Sequence, residues 1–414
     1  MFVPTTHRRR TARPAMRRLA PFATAGALLV LPVLSGCTDN TQSSSDGPSA
    51  DPRTLSVSAS DTECAVSGTG APSGKLTFTV TNSGSKINEF YLLAGDGLRI
   101  VGEIENIGPG ITRDLVLTAP AGDYFTACKP GMVGDGIRAP FAVADSGQDT
   151  AATGNDGELV AAANANYASY VRDQTDSLLT GTEEFVAAYK SGDDAKARAL
   201  YPEVREHWER IEPVAESFGD LDPKTDLREA DVEEGQQWTG WHRIEKDLWP
   251  PADAGYTPLT QAEREPVAAQ LVADTATLHA GIQDIELSLD QLANGAIALM
   301  DEVANGKVTG EEEIWSGTDL WDFQGNVEGA RVLVDGLRDL LEAKDPDLAT
   351  TLDADFDALA AELGEHRTSA PDAAQRDIAY VSYGELSPED VKALSDRVNA
   401  LSEPLSRITA TLLG

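Results

Sequence analysis

Residues 52–145 carry the alternation of apolar and polar positions that is typical of β-strands. Alternating runs begin at Lys75, Arg113 and Asp123, and Gly, Pro or Asn residues separate them. Successive side chains of a strand point to opposite faces of its sheet, so an alternating run buries one face and exposes the other. Short runs of this kind, divided by turn residues, are typical of a β-sandwich. We therefore predict a β-sandwich over residues 52–145.

A different pattern begins after residues 146–156, a polar stretch with Gly that we interpret as a linker. From residue 157 to residue 414, apolar residues recur at spacings of three and four, which places them on one face of a helix. Thr260 followed by Glu263 has the form of a capping box. The sequence thus predicts an all-α helical bundle domain behind the β-sandwich, and the fold class is multidomain β + α.

The first 36 residues have the composition of an export signal. Several Arg residues precede an apolar run that ends at Leu34, and two small residues and then Cys37 follow it. The run is shorter than the roughly 20 residues that span a bilayer, so we interpret residues 1–36 as a lipoprotein signal peptide. A plain secretory signal is the alternative. Residues 37–51 are rich in Ser, Thr and Asp, which indicates a flexible tether. We expect an exported protein, held on the extracytoplasmic side of the membrane by lipid on Cys37.

The charge of the chain excludes one class of partner. It has 33 Lys and Arg residues against 68 Asp and Glu residues, a formal net charge of −35. Nucleic-acid binding depends on basic patches that neutralise phosphates, so we expect no nucleic-acid partner. An excess of carboxylates suits solubility or the attraction of cations.

The clearest candidate for chemistry lies in a helical segment with several Trp residues. His242 and Glu245 are three residues apart there, between Trp241 and Trp249. Positions i and i+3 share a helix face, so the imidazole and the carboxylate can bind a metal ion or share a proton. The apolar neighbours indicate burial, and a buried His beside a buried Glu needs a partner. A structural ion pair is the alternative.

Further carboxylates lie upstream of this segment. Helical spacing puts Glu206, Glu209 and Glu212 in one stripe, and the loop that follows carries Asp220 and Asp222. If the two helices pack side by side, these groups meet inside the bundle, as they do in helical metal proteins. One imidazole with several carboxylates forms a hard site that suits iron, manganese or zinc. The alternative is that these Glu residues are solvated at the surface.

The predicted β-sandwich carries a second candidate, formed by Cys64 and Cys128. In an exported protein a pair of Cys indicates a disulfide, although the two thiolates could also bind a metal. Met132 follows Cys128, but no His lies between them. A blue-copper site needs two imidazoles with the thiolate, so this departure argues against one.

Several blocks of the sequence resemble EfeO-type members of the imelysin-like family. They are the block from Tyr201 to Pro223, the motif Gly240-x-His242-x-x-Glu245, and the blocks from Val308 to Glu312 and from Thr318 to Val327. The resemblance implies a cupredoxin-like β-sandwich followed by an imelysin-like helical domain. It implies an extracytoplasmic iron-binding component of an iron-uptake system, which works with a membrane permease and a haem-type peroxidase.

The resemblance also implies two sets of metal ligands. In the helical domain, His242 and Glu245 would bind iron, with Glu209 and either Asp220 or Asp222 as partners and with Glu206 and Glu212 as alternates. In the β domain, Cys64, Glu89 and Cys128 would form a second site, with Glu103 or Glu105 nearby. Softer thiolates would favour copper there. A Cys64–Cys128 disulfide remains the alternative to that site.

The sequence favours a binding protein over an enzyme. It contains no G-x-S-x-G, no phosphate-binding loop and no dinucleotide fingerprint. Imelysin-like proteins have been grouped with peptidases, yet the chain has no H-E-x-x-H motif for a hydrolytic zinc. Two alternatives stay open, a cell-surface metal-dependent peptidase and a protein that binds polysaccharide through bridging cations.

Overall fold

Strands form the first part of the structure and helices the second. The computed structural model describes residues 51–95, 97, 99–132, 134, 136–147, 154–218, 221–232, 235–252, 255–283, 285, 287–368 and 379–413. The predicted signal peptide, nearly all of the tether with Cys37, and the candidate ligand Asp220 lie outside these residues. No helix within the described ranges has the length and hydropathy of a membrane span. The predicted combination of a β-sandwich with a helical domain is confirmed.

The strands form two sheets. Their bounds are Thr54–Ala59 (β1), Cys64–Val66 (β2), Gly70–Pro72 (β3), Gly74–Asn82 (β4), Asn88–Ala94 (β5), Ile100–Ile107 (β6), Thr112–Ala119 (β7), Gly122–Cys128 (β8) and Ile137–Ala144 (β9). One sheet has the order β2-β1-β4-β7, and the other has the order β3-β9-β8-β5-β6. Between them Phe78 packs against Phe90 and Phe141, with ring centroids 5.1 and 5.6 Å apart. The alternation of the sequence thus places one face of each sheet in a shared core.

Strand β5 is buried on both of its faces. Phe90 and Leu92 belong to the core between the sheets, whereas Tyr91 and Leu93 belong to a second apolar cluster on the outer face. Glu89 is next to Phe90 in the strand, so its carboxylate lies on the outer face with Tyr91. The Tyr91 hydroxyl donates to Glu89 Oε2 at 2.5 Å. This face of the sheet therefore holds a buried carboxylate outside the sandwich core.

The helices follow from residue 154 onward. Their bounds are Gly154–Ser191 (α1), Asp194–Glu209 (α2), Glu212–Glu216 (α3), Asp222–Thr225 (α4), Trp241–Leu248 (α5), Gln261–Ile282 (α6), Leu289–Asn305 (α7), Asp319–Gly336 (α8), Arg338–Lys344 (α9), Pro346–Glu365 (α10), Pro388–Leu405 (α11) and Ile408–Leu413 (α12). Two short strands pair after α10, namely Arg367–Thr368 (β10) and Ala379–Tyr380 (β11). The predicted capping box at Thr260 and Glu263 opens α6. Helices α1, α2, α6, α7 and α8 pack on one another around one apolar core.

The β-sandwich packs on the helices through α7. Arg113 of β7 forms an ion pair with Asp301 at 3.0 Å, and Asn294 Nδ2 donates to the carbonyl oxygen of Val116 at 3.2 Å. A cavity of about 430 Å³ lies between strands β6 and β7 and the helices. Polar contacts thus fix the sandwich on the helical body at one side of this cavity.

Candidate metal centre

Helix α5 places His242 and Glu245 inside the helical body. Trp241, Ile244 and Leu248 anchor the helix in the apolar core. Gly240 precedes it at φ 88°, where a Cβ atom would lie 2.1 Å from the carbonyl oxygen of Thr225, so only glycine fits this close approach. The side chains of His242 and Glu245 are fully buried. The local sequence therefore fixes both groups on the inner face of a short, tightly held helix.

Each ring nitrogen of His242 faces two carboxylates. Nε2 lies 3.3 Å from Asp226 Oδ1 and 3.3 Å from Glu312 Oε1. Nδ1 lies 3.4 Å from Glu245 Oε2 and 3.8 Å from Glu313 Oε1. All four carboxylate groups are buried. The imidazole is thus the common partner of four acidic groups that α5, the segment after α4 and the segment before α8 supply.

Two buried cations, Arg205 and Lys307, form ion pairs with carboxylates of this region. Arg205 forms ion pairs with Asp226, with Glu209 and, at 2.6 Å, with Glu313. Lys307 Nζ lies 2.6 Å from Glu209 Oε2. Exposure of the Arg205 and Lys307 side chains is 0%. Buried charges are stable only when paired in this way, so these cations belong to the architecture of the centre.

Three groups of side chains in the described part of the chain could each hold a metal ion. Within each group, one ligand atom per residue lies within 4.8 Å of the others. The groups are Asp226 with His242 and Glu312, His242 with Glu245 and Glu313, and Glu209 with Glu212 and Asp226. Because the groups share members, they form one continuous buried centre.

The pKa values show which groups hold charge in the absence of metal. Burial alone lowers the pKa of His242, but the charge of Glu313 and hydrogen bonds to other carboxylates raise it well above its usual value. Burial raises the pKa of Glu312, yet the hydrogen bond with His242 lowers it to about 2. Burial also raises the pKa of Asp226, but the charge of Arg205 and the hydrogen bond with His242 outweigh burial and lower the pKa well below its usual value. The carboxylates around the ring therefore favour the imidazolium form of His242. A metal ligand is a neutral imidazole, so a binding cation displaces this proton.

Other carboxylates of the centre are protonated more easily than usual. Burial and the charge of Glu209 raise the pKa of Glu212 well above its usual value. Burial likewise raises the pKa of Asp322, and the opposite effect of Arg205 is smaller. The centre contains more buried carboxylates than buried cations, so it favours the entry of a proton or a metal ion.

The segment from Gly310 to Thr318 connects the acidic groups to α5. It carries Glu312 and Glu313, and the backbone amides of Trp315 and Ser316 donate to Glu245 Oε1 at 3.0 and 2.7 Å. We call residues 310–318 the acidic loop. Its contacts hold the Glu245 carboxylate firmly beside the ring of His242.

The structure brings together several of the predicted residues. His242, Glu245, Glu209 and the alternate Glu212 lie in the same buried centre. Glu206 forms an ion pair with Arg210 at 3.2 Å, away from these groups. The first four residues therefore meet as the sequence suggested, although their role as ligands stays a prediction.

The three groups, which are drawn from the described residues, include neither of the two predicted loop aspartates, Asp220 and Asp222. Asp222 opens α4 and belongs to none of the three groups, although burial and the charge of Asp226 raise its pKa to about 7. Asp220 lies outside the described residues. The carboxylate that this region brings to His242 is that of Asp226, four residues beyond Asp222.

Sequence reasoning missed Asp226, Glu312, Glu313, Arg205 and Lys307 as members of the centre. One signal was present, since three consecutive Glu residues follow Gly310. Another was Arg205, which lies one helical turn before Glu209 in α2. The position of Lys307 has no such local signal, because it depends on how the turn after α7 packs against α8.

The structure does not assemble the predicted second site in the β-sandwich. Cys64 and Cys128 form a disulfide, so neither sulfur is a thiolate. Cys128 pairs with Phe90 across β5 and β8, and its side chain lies in the sandwich core. Glu89 is on the opposite face of that sheet, as is Glu103, which pairs with Tyr91. The alternation of β5 thus separates the two carboxylates from the two sulfurs.

Comparison with known proteins identifies relatives for most of the chain. Residues 163–408 match the family model of imelysin, peptidase family M75. The chain is 34% identical over 370 residues to the iron uptake system component EfeO of Escherichia coli strain K12, an alignment that covers 88% of this chain and 92% of that protein. Proteins of the same name from Shigella flexneri and Escherichia coli O157:H7 are similar to the same extent. The likeness therefore extends well beyond the helical domain.

Proposed function

We propose, from the premise that this chain belongs to the imelysin family, that it binds iron as a component of an iron-uptake system. The observation that carries the proposal is the buried ring of His242, with carboxylates facing both of its nitrogens. An imidazole among carboxylates is a hard donor set, which suits iron. The relatives named above are components of iron uptake systems, and this supports iron as the cargo.

The iron-binding ligands in this proposal are His242 Nε2, Asp226 and Glu312. Glu245 has the role of holding the ring, since two backbone amides already fix one of its oxygens. A carboxylate that accepts from Nδ1 orients the imidazole and leaves Nε2 for the metal. Glu313 also faces Nδ1, so it lies on the same side of the ring as Glu245.

The binding step exchanges a proton for iron. Without iron, the imidazolium of His242 balances the charge of the Asp226 and Glu312 carboxylates. Iron takes the same position with a higher charge, and the imidazole proton leaves to solvent. The other carboxylates of the centre stay close enough to balance the added charge. The chain thus captures iron without turning over a substrate.

The location and the partners belong to the same proposal. Lipid on Cys37 would hold the protein on the extracytoplasmic side of the membrane, where it hands iron to a permease and works beside a haem-type peroxidase. Removal of the predicted signal peptide, with its six Arg residues and no acid, takes away six positive charges and changes the net charge from −35 to −41, and this excess of carboxylates raises the concentration of cations near the protein.

Copper in the β-sandwich is proposed only for a reduced form of the protein. A copper site with Cys64 and Cys128 needs both thiolates, and the two sulfurs are joined in the present structure. Glu89 and Glu103 face the other side of the sheet, so they could not bind the same copper ion as the two sulfurs in this arrangement. The disulfide supports a structural role for these cysteines.

We infer binding in preference to hydrolysis for the helical centre. A peptidase of the H-E-x-x-H type uses two imidazoles on one zinc ion. Within the described residues, His207 contacts Gln174 and His279 contacts Asp176, and none of His207, His279 and His366 belongs to the three groups of possible metal ligands. The centre around His242 is therefore rich in carboxylates and holds a single imidazole in this part of the chain.

An iron titration of the mature chain tests the proposal. We expect His242→Ala to lower iron affinity by more than ~100-fold, a larger loss than removal of an outer-shell partner causes. His279→Ala is the matched control, because His279 also lies on a helix in an ion pair, with Asp176 at 2.6 Å. Unchanged iron affinity in a folded His242→Ala variant would reduce the centre to a structural ion-pair network.

A further inference from the structure

Asp226 lies between two clusters of carboxylates that have different partners. On one side are His242 and Glu312, and we call these with Asp226 the histidine subsite. On the other side are Glu209 and Glu212, which we call the lysine subsite. Within each group of three, counting Asp226 in both, one ligand atom per residue lies within 4.8 Å of the others. Sites that hold two metal ions place the ions ~3.5–4 Å apart. Two adjoining clusters that share the carboxylate of Asp226 have the form of such a site.

The lysine subsite already contains a cation. Lys307 Nζ lies 2.6 Å from Glu209 Oε2 and 2.9 Å from Glu212 Oε2. Asn326 Nδ2 donates to the same two oxygens at 3.1 and 3.0 Å. The side chain of Lys307 is fully buried, so the ammonium group is shielded from bulk solvent. One positive group thus stands where two carboxylates converge.

The backbone holds this lysine in place. Lys307 begins a short 3-10 turn, Lys307–Thr309, which comes directly after α7. The hydroxyl of Tyr383 donates to the carbonyl oxygen of Val308 at 2.5 Å. Gly310 then ends the turn with φ 73° and leads into the acidic loop. The same short segment therefore fixes the ammonium group of one subsite and delivers Glu312 to the other.

We propose that Lys307 is a permanent internal cation that fills the second subsite and so limits the centre to one iron ion. The inference rests on the proposed function, since it assumes that iron binds at the histidine subsite. An ammonium group is a compact point charge that can take the position of a metal ion between carboxylates. A second metal ion would have to displace it or lie beside it, and both are unfavourable.

The consequence is a centre matched to a single cargo ion. Arg205 acts in the same direction on Glu209, with which it forms a buried ion pair. The two fixed cations keep carboxylates of the lysine subsite away from iron at Nε2. Glu209, which the sequence suggests as a ligand, is therefore a positioning group that is bonded to Lys307 and Arg205.

The test is the number of metal ions bound per chain. Wild-type protein, Lys307→Met and Lys307→Gln are loaded with Fe(II) without oxygen and, separately, with Mn(II). Metal content and the Mn(II) paramagnetic resonance spectrum are then measured. We expect one ion per wild-type chain and two per variant chain, with the spectrum of a coupled Mn(II) pair in the variants. Lys196→Met, which removes an ion pair with Glu184 at the surface, should still bind one ion.

The outcomes distinguish failure of the role proposed for Lys307 from failure of the proposed iron-binding function. One ion or none in a folded variant, beside one ion in the wild type, overturns the role of Lys307. A wild type that binds no iron overturns the proposed function instead. Where both variants fail to fold without metal, the proposal expects two equivalents of Mn(II) to restore the circular dichroism of the wild type. Failure of Mn(II) to restore it counts against the proposal.

Discussion

The two nitrogens of the His242 ring have different surroundings, and this difference defines the roles of the residues near it. Nδ1 faces Glu245, whose other oxygen accepts from two backbone amides. Nε2 faces Asp226 and Glu312, and both of these carboxylates also form ion pairs with the side chain of Arg205. A carboxylate fixed by the backbone orients the ring, whereas carboxylates held by charged side chains can exchange the imidazolium for a metal. We therefore expect the variants at Glu245 and Asp226 to behave differently.

Glu245→Gln should weaken iron binding moderately. The amide keeps the size of the side chain and an oxygen for the amides of Trp315 and Ser316, but it loses the charge that holds the imidazole. Loss of such an outer-shell partner lowers metal affinity by ~10–100-fold. Asp226→Asn should lower it more, because it removes a proposed ligand. Calorimetric titration of both variants compares them, and a larger loss in Glu245→Gln would reverse their roles.

Iron affinity should fall as the medium is acidified, beginning above the usual range of imidazole. The pKa of His242 is raised well above its usual value despite burial, because carboxylates surround the ring. Its unfolded value is ~6.5, so the imidazolium stabilises the metal-free fold below that pH. This stabilisation is lost as pH rises through the raised pKa, and iron then competes with fewer protons. Titrations in buffers of different ionisation enthalpy should detect about one proton released per iron. Affinity that does not change between neutral and alkaline pH would contradict this expectation.

At the scale of elements, α5 and the acidic loop form one unit. The loop gives Glu312 and Glu313 to the ring of His242, and its amides bond to Glu245 of the helix. Gly310 and Gly317 lie near the two ends of the loop with φ values of 73° and 69°. Neither the helix nor the loop alone can form the centre, because each supplies only part of its groups.

Gly317→Ala should disturb the loop and weaken iron binding. A Cβ atom there would lie 2.4 Å from Ser382 Oγ, and the left-handed backbone costs a further ~1–2 kcal/mol for a residue with a side chain. Gly364→Ala is the control, since a Cβ atom added to this helical glycine would meet nothing within 4 Å. That control should raise stability by ~0.5–1 kcal/mol. Equal melting temperatures and iron affinities in the two variants would show that the loop has no such constraint.

The sequence predicted those features that lie within one element. Periodicity identifies the sandwich and the helices, and the spacing of His242 and Glu245 identifies one face of α5. Asp226 and Glu312 approach that face only through packing between distant segments, so no local pattern reveals them. The structure does not bring Glu89 to the two cysteines, and the alternation of β5 explains why. Glu89 directly precedes a core residue of β5, which turns its carboxylate to the outer face.

At the scale of the whole molecule, α7 connects the β-sandwich to the centre. Its residues Asn294 and Asp301 contact strand β7. Glu302, the next residue, has its pKa raised by burial, while the charge of Lys307 and a hydrogen bond with Glu105 of β6 oppose this effect. The helix then ends beside Lys307. The sandwich thus contacts the same helix that leads into the candidate metal centre.

Loss of the disulfide should destabilise the sandwich and leave the centre intact. Cys64 and Cys128 are 64 residues apart, and closing a loop of this length contributes ~4 kcal/mol by the chain-entropy estimate. We expect Cys64→Ser with Cys128→Ser to lower the melting temperature while the iron affinity stays unchanged. Thiol labelling of the native wild type should find no free thiol. Labelled thiols together with copper uptake would instead support the reduced copper form.

Cys37→Ala should release the protein from the membrane. The prediction rests on the apolar run and the two small residues that precede Cys37. Fractionation of cells that express the variant should find it in the soluble fraction or the medium, and fatty-acid labelling should be lost. A variant that remains in the membrane and still incorporates fatty acid would exclude lipidation at this residue.

The excess of buried carboxylates around His242 links the lifetime of the protein to its cargo. A ligand that binds only the folded state stabilises it by an amount that grows with ligand concentration, ~4 kcal/mol at a thousand times the dissociation constant. The chain without iron therefore opens more often, and proteases cleave what has opened. Protein molecules that carry iron should persist, whereas molecules without iron should be degraded. Under the proposed function, the amount of this protein would then follow the supply of iron even at a constant rate of synthesis.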